Sequence, residues 1–174
     1  MLHDFKVYFC NFFITYIPFH FVRLFYYKHV MKFKIGKGSS IHLGCKFTAV
    51  TEFSMGKNST LNQYCKIDNR AGIYISDNVS ISPYVNLITA DHDVQAKDFI
   101  GRQKEIILKD YVFIGSDAMI LPGVVMETGS VLGAKSLLTK STVPYSIYTG
   151  TPAKHRADRN TDLDYQTSYI RWFH

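Results

Sequence analysis

A six-residue repeat runs through most of this chain and limits what it can fold into. From Leu108 to Thr142 every sixth residue is a large aliphatic side chain or Met, and the fifth residue of each unit is small or β-branched. The first positions are Leu108, Ile114, Ile120, Met126, Leu132 and Leu138. A period of six fits neither the 3.6 residues of a helical turn nor the alternation of a single strand. It is typical of a parallel β-helix, in which each hexad forms one flat side of a coil and points its first residue inward.

The same repeat begins at Ile35, slips by two residues before Met55 and again before Ile75, and stops at Asp91 and His92. Three hexads make one triangular coil, so a slip falls once per coil and predicts a bulge at a corner. The fifth positions are expected to face inward as well. Residues 93–107 do not repeat, and we expect them to form a loop that leaves the coil, which is where function concentrates on a rigid scaffold.

The predicted fold is therefore all-β, with three parts. Residues 1–33 form an aromatic-rich helical segment, residues 34–143 form the β-helix with its excursion at about 93–107, and residues 144–174 form a short tail. The tail ends in Tyr169, Ile170, Trp172 and Phe173, a pattern that suits a short capping helix.

The aromatic segment allows two interpretations. Pro18 separates two short helices, since proline interrupts helical hydrogen bonding. The longest uncharged stretch, from Val7 to Val22, is shorter than the ~20 apolar residues that span a bilayer. The helices either pack on the coil or on a neighbouring subunit, or they lie in a membrane interface with basic side chains near the headgroups. Those side chains are Arg23, Lys28, Lys32 and Lys34.

Charge and cysteine content indicate which kinds of partner and which cellular compartment suit this protein. The net charge of +6 comes without a Lys/Arg run or an RNA-binding motif, so it suits an anionic membrane or a phosphorylated small molecule better than nucleic acid. Three cysteines form no disulfide framework, which indicates a reducing, cytoplasmic setting. Cys45 and Cys65 occupy equivalent inward positions on successive coils and are expected to be stacked, reduced core residues. No Cys/His pairs have the spacing of a metal site.

His92 is the main catalytic candidate, because it lies where the coil gives way to the excursion. A neutral imidazole there could act as a general base near neutral pH. Asp91 and Asp93 flank it, and either carboxylate could orient the ring.

Four motifs give the chain a family resemblance: ITADHD (88–93), IGSDAMILPGV (114–124), VLGAKSLLTKSTVP (131–144) and GTPAK (150–154). With the repeat itself they cover roughly two thirds of the sequence. The chain resembles the hexapeptide-repeat acyltransferases with a left-handed β-helix. Within them it is similar to the galactoside, maltose and colanic-acid group of sugar and polysaccharide O-acetyltransferases.

The resemblance implies a left-handed coil, a homotrimer with active sites between subunits, and acetyl-CoA as co-substrate without a metal. It assigns His92 as the base that deprotonates an acceptor hydroxyl, Asn62 as an acceptor contact and the Ser116 amide as the oxyanion donor. Positions along the cofactor, from the pantetheine arm to the nucleotide phosphates, are Gly133, Ala134, Thr139, Lys140, Lys154 and Arg156. Such an enzyme would be cytoplasmic and could lie at the inner face of the membrane through residues 1–33.

Three other functions are possible for a coil of this kind. The acceptor could be the amine of an amino sugar, or the coil could serve only as an assembly scaffold, although His92 and GTPAK argue against a scaffold. A γ-class carbonic anhydrase shares the coil but needs three zinc-binding histidines, which the sequence GSDAMIL at 115–121 lacks.

Overall fold

A computed structural model, which describes residues 1–168, shows a parallel β-helix built from short strands. The first coil contains β1 (Lys34–Ile35), β2 (Ser40–Ile41) and β3 (Lys46–Phe47); the second contains β4 (Phe53–Met55), β5 (Thr60–Leu61) and β6 (Lys66–Ile67); the third contains β7 (Ile73–Ile75), β8 (Ser80–Ile81) and β9 (Asn86–Leu87). After a hairpin of β10 (Ala90–His92) and β11 (Gly101–Gln103), the fourth coil contains β12 (Ile106–Leu108), β13 (Phe113–Ile114) and β14 (Met119–Ile120). The fifth contains β15 (Val125–Met126), β16 (Val131–Leu132) and β17 (Leu137–Leu138), and β18 (Ser146–Gly150) and β19 (Ala153–Asp158) follow.

Each strand pairs with the equivalent strand of the next coil, which builds three sheets. Sheet A has the order β1-β4-β7-β12-β15, sheet B runs from β2 through β5, β8, β13, β16 and β18 to β19, and sheet C has the order β3-β6-β9-β14-β17. The register aligns the first hexad positions, as in Ile41↔Leu61 and Leu61↔Ile81. These residues form the core, and all of them from Ile41 to Leu138 are at most 4% exposed. The predicted β-helix fold is confirmed.

The fifth positions follow the expectation on two sides of each early coil and depart from it on the third. Thr51 and Asp91 are exposed and Ala71 is only half-buried. Each slip adds two residues, and the added turn brings Phe53 and Ile73 into the core instead, at 3% and 0% exposure. The inward role therefore passes from the fifth position to the residue two places further on.

The two inward cysteines behave as predicted. Cys45 and Cys65 are free thiols with no exposed surface. A hydrogen bond between the Cys65 thiol and Cys45 that favours the neutral thiol, together with burial, raises the pKa of Cys65 well above its usual value. Both residues are inert core thiols in this arrangement.

Two helices close the open end of the first coil. Helix α1 spans Leu2–Phe12, a 3₁₀ turn spans Ile14–Tyr16, and α2 spans His20–His29. Asn11 accepts from the Phe47 amide at 2.9 Å and donates to the Phe47 carbonyl at 2.7 Å. His20 accepts from the Ile41 amide at 3.3 Å, and the Arg23 guanidinium donates to the Ile41 carbonyl at 3.3 Å. Side chains thus supply the hydrogen bonds that a preceding coil would have made.

The structure therefore supports packing of residues 1–33 on the coil. Pro18 does lie between two helices, in the segment that joins the 3₁₀ turn to α2. Neither helix in residues 1–168 has the length and hydropathy of a bilayer-spanning segment.

The excursion and the tail differ in detail from the sequence prediction. The coil resumes at Ile106, two residues before Leu108, because the excursion folds back on itself as an antiparallel hairpin. At the other end β18 pairs in parallel with β16, so sheet B continues past residue 143. The tail then returns along the corner between sheets A and B, where Arg159 donates to the Gly129 carbonyl at 3.0 Å. The capping helix suggested for Tyr169 to Phe173 lies outside the described residues.

Candidate active site

The hairpin β10–β11 holds the imidazole of His92 in one orientation. His92 Nδ1 lies 2.8 Å from the carbonyl oxygen of Phe99, and the two rings stack with centroids 4.4 Å apart and planes 7° apart. A carbonyl oxygen only accepts, so Nδ1 carries the proton. The other ring nitrogen, Nε2, is then left with its lone pair, which is what a general base needs.

The flanking aspartates do not orient this ring. Asp91 receives two hydrogen bonds of 2.9 Å from the guanidinium of Arg102, and Asp93 lies 3.6 Å from the same group. The hydrogen bond from Arg102 holds the pKa of Asp91 below its usual range. The orienting role that the sequence suggested for Asp91 or Asp93 belongs to the Phe99 carbonyl, because alternation along β10 points neighbouring side chains apart.

Four other candidate residues share one edge of the coil, the corner where sheet B turns into sheet C. Asn62 lies there in the second coil, Ser116 in the fourth, and Gly133 and Ala134 in the fifth. The second and third residues of each hexad on this side stack above one another, since the strands are in register. We call this edge the B–C corner.

The Ser116 amide is available at the B–C corner. The Ser116 carbonyl, which belongs to the following peptide unit, accepts from the Lys135 amide at 2.9 Å and ties this turn to the next coil; within residues 1–168 the Ser116 amide makes no backbone hydrogen bond. Asn62 is half-buried two coils away and donates from Nδ2 to the Ile81 carbonyl at 2.8 Å.

Close contact with the following strand or turn accounts for the glycines of this corner. A Cβ on Gly115 would lie 2.4 Å from the Ala134 nitrogen, and a Cβ on Gly133 would lie 2.8 Å from Thr149 Cγ2. Gly133 is therefore small because the next strand packs on it. Ala134 is exposed beside it.

The remaining cofactor-binding candidates lie at two places near the last coil. Thr139 and Lys140 are exposed just after β17, at the corner between sheets C and A. Lys154 and Arg156 are exposed on β19, where Lys154 pairs with Thr149. Lys154 is thus joined through Thr149 to Gly133, whereas Lys140 belongs to a different edge.

A cleft at the base of the hairpin was not foreseen from the sequence. It has a volume of about 200 Å³ and is lined by Asp91, Arg102, Lys104 and Pro122. Phe99 and Arg102 were missed because they lie in the excursion, where the repeat gives no register. In the sequence, only the clustering of charged residues in 91–105 points to this cleft.

Within one chain, His92 and the B–C corner are on different edges. The hairpin leaves the coil after sheet C, and Asn62 and Ser116 lie before sheet C begins. One side of a coil covers about four extended residues, roughly 13 Å. The structure thus brings Asn62, Ser116, Gly133 and Ala134 to one edge and does not bring His92 to that edge.

Comparisons with known proteins agree with this architecture. The chain is 43% identical over 67 residues to a chloramphenicol acetyltransferase of Morganella morganii, covering 38% of this chain and 32% of that protein. It is 32% identical over 120 residues to the galactoside O-acetyltransferase of Escherichia coli strain K12, covering 67% and 53%. A solved galactoside acetyltransferase in complex with coenzyme A superposes with a TM-score of 0.80 at 26% identity, over 94% of this chain and 84% of that one. No protein-family profile matches the chain.

These findings show which class of protein the chain resembles. The chain has the hexapeptide-repeat fold and is related to known acetyltransferases, which confirms the resemblance inferred from the motifs. It spans about a third to a half of the length of the curated relatives it matches.

Proposed function

We propose that this chain is an acetyl-CoA-dependent O-acetyltransferase that acts on a hydroxyl of a sugar or of a surface-polysaccharide precursor. The observation that carries the proposal is the state of His92. Its Nδ1–H is held by the Phe99 carbonyl, which leaves Nε2 as a base on the rim of a rigid coil. Relatedness to galactoside O-acetyltransferases supports the choice of acceptor class.

In this mechanism His92 Nε2 takes the proton of the acceptor hydroxyl as the oxygen attacks the thioester carbonyl. The Ser116 amide donates to the oxyanion that forms, a contribution that can be worth ~3 kcal/mol. Collapse of the tetrahedral adduct breaks the C–S bond, and His92 returns the proton to the sulfur of the departing CoA. The products are the acetyl ester and CoA, and Phe99 stabilises the imidazolium between the two proton transfers.

Binding of acetyl-CoA is assigned to the upper part of the coil. The pantetheine arm is assigned to the wall of the coil beside Gly133 and the exposed Ala134. The exposed charges of Lys154 and Arg156 on β19 suit phosphate groups, since charge-assisted contacts to phosphate are among the stronger hydrogen bonds. Thr139 and Lys140 are assigned to the nucleotide end from an adjacent edge.

The separation of His92 from the B–C corner supports a homotrimer. A second copy can place its hairpin beside the Asn62 and Ser116 of the first, and a closed threefold ring would form three such sites. The proposal also includes a peripheral contact of residues 1–33 with the inner face of the membrane.

A different acceptor would use the same machinery. An amino-sugar amine needs the same base, and the relation to a chloramphenicol acetyltransferase makes an antibiotic hydroxyl a second candidate. In both cases the roles of His92 and Ser116 are unchanged, and only the contacts near Asn62 differ.

The test is a coupled assay of thiol release from acetyl-CoA with a panel of acceptors. The panel contains a galactoside, maltose, glucosamine and chloramphenicol, together with lipid-linked and polymeric glycans, and the acetylated product is identified by mass spectrometry. We expect an ester product with a sugar. An amide product would move the assignment to N-acetylation. No product with any acceptor, combined with no thermal shift by acetyl-CoA, would leave a scaffold role and refute the proposal.

A further inference from the structure

The charge of this chain is concentrated at one end. Residues 1–51 contain seven Lys or Arg residues and a single acidic residue, Asp4, so they carry the whole formal charge of +6. Residues 52–174 contain thirteen residues of each sign. Lys28, Lys32, Lys34 and Lys37 are all exposed, so the charge is presented at the capped end of the coil.

Helix α1 turns its apolar side outward. Leu2, Phe5, Tyr8 and Phe12 recur at helical spacing and are 69%, 61%, 54% and 56% exposed. The opposite side carries Cys10, which is fully buried against the coil. A surface helix normally does the reverse, with polar residues outward.

Helix α2 continues this surface and adds charge to it. Phe21 and Phe25 are 72% and 64% exposed, and Lys28 follows one turn later on the same side. Its inward side carries Arg23 and Tyr27, both fully buried. The polar guanidinium is therefore used inside, and the phenylalanines are left outside.

The segment between the helices is of the same kind. Phe13, Tyr16 and Phe19 are each about half exposed, at 53%, 50% and 52%. Lys46 of the first coil lies over the ring of Phe12, with Nζ 5.5 Å from the centroid. We call the outward side chains of α1, this segment and α2 the aromatic face.

We infer that the aromatic face docks on a bilayer that contains anionic phospholipid, with the phenylalanine rings at the acyl boundary and the lysines among the headgroups. Tyrosine and lysine side chains suit the interface, and polybasic segments are drawn to anionic lipid. Two short helices lying on the surface match this geometry, as a spanning segment would not.

Charge selects lipid over a second copy of the chain. Another copy offering the same face would bring two segments of +6 together, and like charges oppose such contact. An anionic bilayer compensates the same charge. This inference deepens the peripheral contact proposed above and rests on that part of the proposed function alone, because lipid binding needs neither acetyl-CoA nor His92.

The experiment is vesicle flotation of the full chain. Vesicles of phosphatidylcholine alone are compared with vesicles containing about 30% phosphatidylglycerol, at low and high salt. We expect binding to the anionic vesicles at low salt that is at least roughly tenfold stronger than binding to the neutral ones and weakens as salt rises. Absence of binding to anionic vesicles at low salt would overturn the inference, whether or not thiol release is observed.

Matched variants locate the surface. Lys28→Glu with Lys32→Glu should weaken binding by roughly tenfold or more, since each charge near the surface contributes. Lys57→Glu with Lys97→Glu makes the same change in net charge away from the aromatic face and should leave binding within about twofold. Equal losses of vesicle binding in the two double variants would refute the assignment of lipid contact to the aromatic face.

An aromatic pair tests the apolar contact. Phe5→Ser with Phe12→Ser should abolish flotation while the melting temperature is retained, because both rings are exposed. Val94→Ser with Val143→Ser, two exposed apolar residues elsewhere, should have no effect. Sedimentation velocity is run on all variants. If the Phe pair changes the oligomeric state and not flotation, the face is an interface between copies and the inference is wrong.

Discussion

Replacement of the base should separate catalysis from stability. His92→Ala removes the Nε2 lone pair, and loss of a general base typically lowers the rate by about 10²–10⁴-fold, or ~3–5 kcal/mol of transition-state stabilisation. Stability should change little, because the exposed ring contributes one hydrogen bond to the Phe99 carbonyl and one stacking contact. Those contacts amount to about 1–3 kcal/mol, towards the lower end for an exposed ring, and affect only the hairpin. The assay is kcat/KM by thiol release with the best acceptor found, alongside the melting temperature.

A second substitution tests whether the carbonyl or the ring of Phe99 is needed. Phe99 has φ 49°, a left-handed conformation that glycine adopts without strain, so Phe99→Gly keeps the carbonyl and removes the ring. Loss of the stacking contact, about 0.5–1.5 kcal/mol, predicts a rate decrease of roughly 2–10-fold. Activity of His92→Ala within tenfold of wild type would refute the assignment of the base. A loss in Phe99→Gly as large as in His92→Ala would refute the role of the carbonyl.

Three further predictions concern the core, the cap and the cofactor. Ala118→Phe should lower the free energy of unfolding, measured by chemical denaturation, by ~1–3 kcal/mol because the added ring overpacks the core. The control Met119→Phe, on the outward side, should lower it by under about 0.5 kcal/mol, and equal effects would contradict the hexad frame. Burial, with a nearby guanidinium, lowers the pKa of His20 to about 4. The unfolded chain binds a proton near the usual pKa of ~6.5, so stability is complete above that pH and falls as the pH drops towards 4, by ~1–2 kcal/mol for this partly exposed ring. His20→Gln should lack that part of the pH dependence, and identical pH profiles of stability would count against it. Lys154→Ala should weaken CoA roughly 3–10-fold more than dephospho-CoA in calorimetry, with Lys97→Ala as control, and equal losses for the two ligands would exclude a contact with the 3′-phosphate.

The repeat explains why so much of the coil could be predicted. Each hexad repeats the same local conformation. The alignment of Ile41, Leu61 and Ile81 can therefore be inferred from the sequence without knowledge of contacts to distant parts of the chain. The prediction was wrong for the inward role of Thr51, because a two-residue slip does not reveal which residue turns into the core. The packing of Phe53 there is a property of the neighbouring coil.

The candidate site likewise has one part that the repeat predicts and one part that it does not. Asn62, Ser116, Gly133 and Ala134 share a corner because the period is regular, and their alignment follows from counting in sixes. The partner of His92 could not be counted, since Phe99 lies seven residues away in a segment without a period. The pairing of Asp91 with Arg102 likewise depends on the antiparallel register of the hairpin.

The coil, its buried ladder and the set of residues on the B–C corner follow from the repeat alone, because a strict period converts position in the chain into position in space. The folded chain was needed to show which nitrogen of His92 holds the proton, how Asn11, His20 and Arg23 close the first coil, and which side of α1 faces outward. Those features depend on contacts between segments far apart in the chain or outside the repeat, where neither the period nor local propensity carries information.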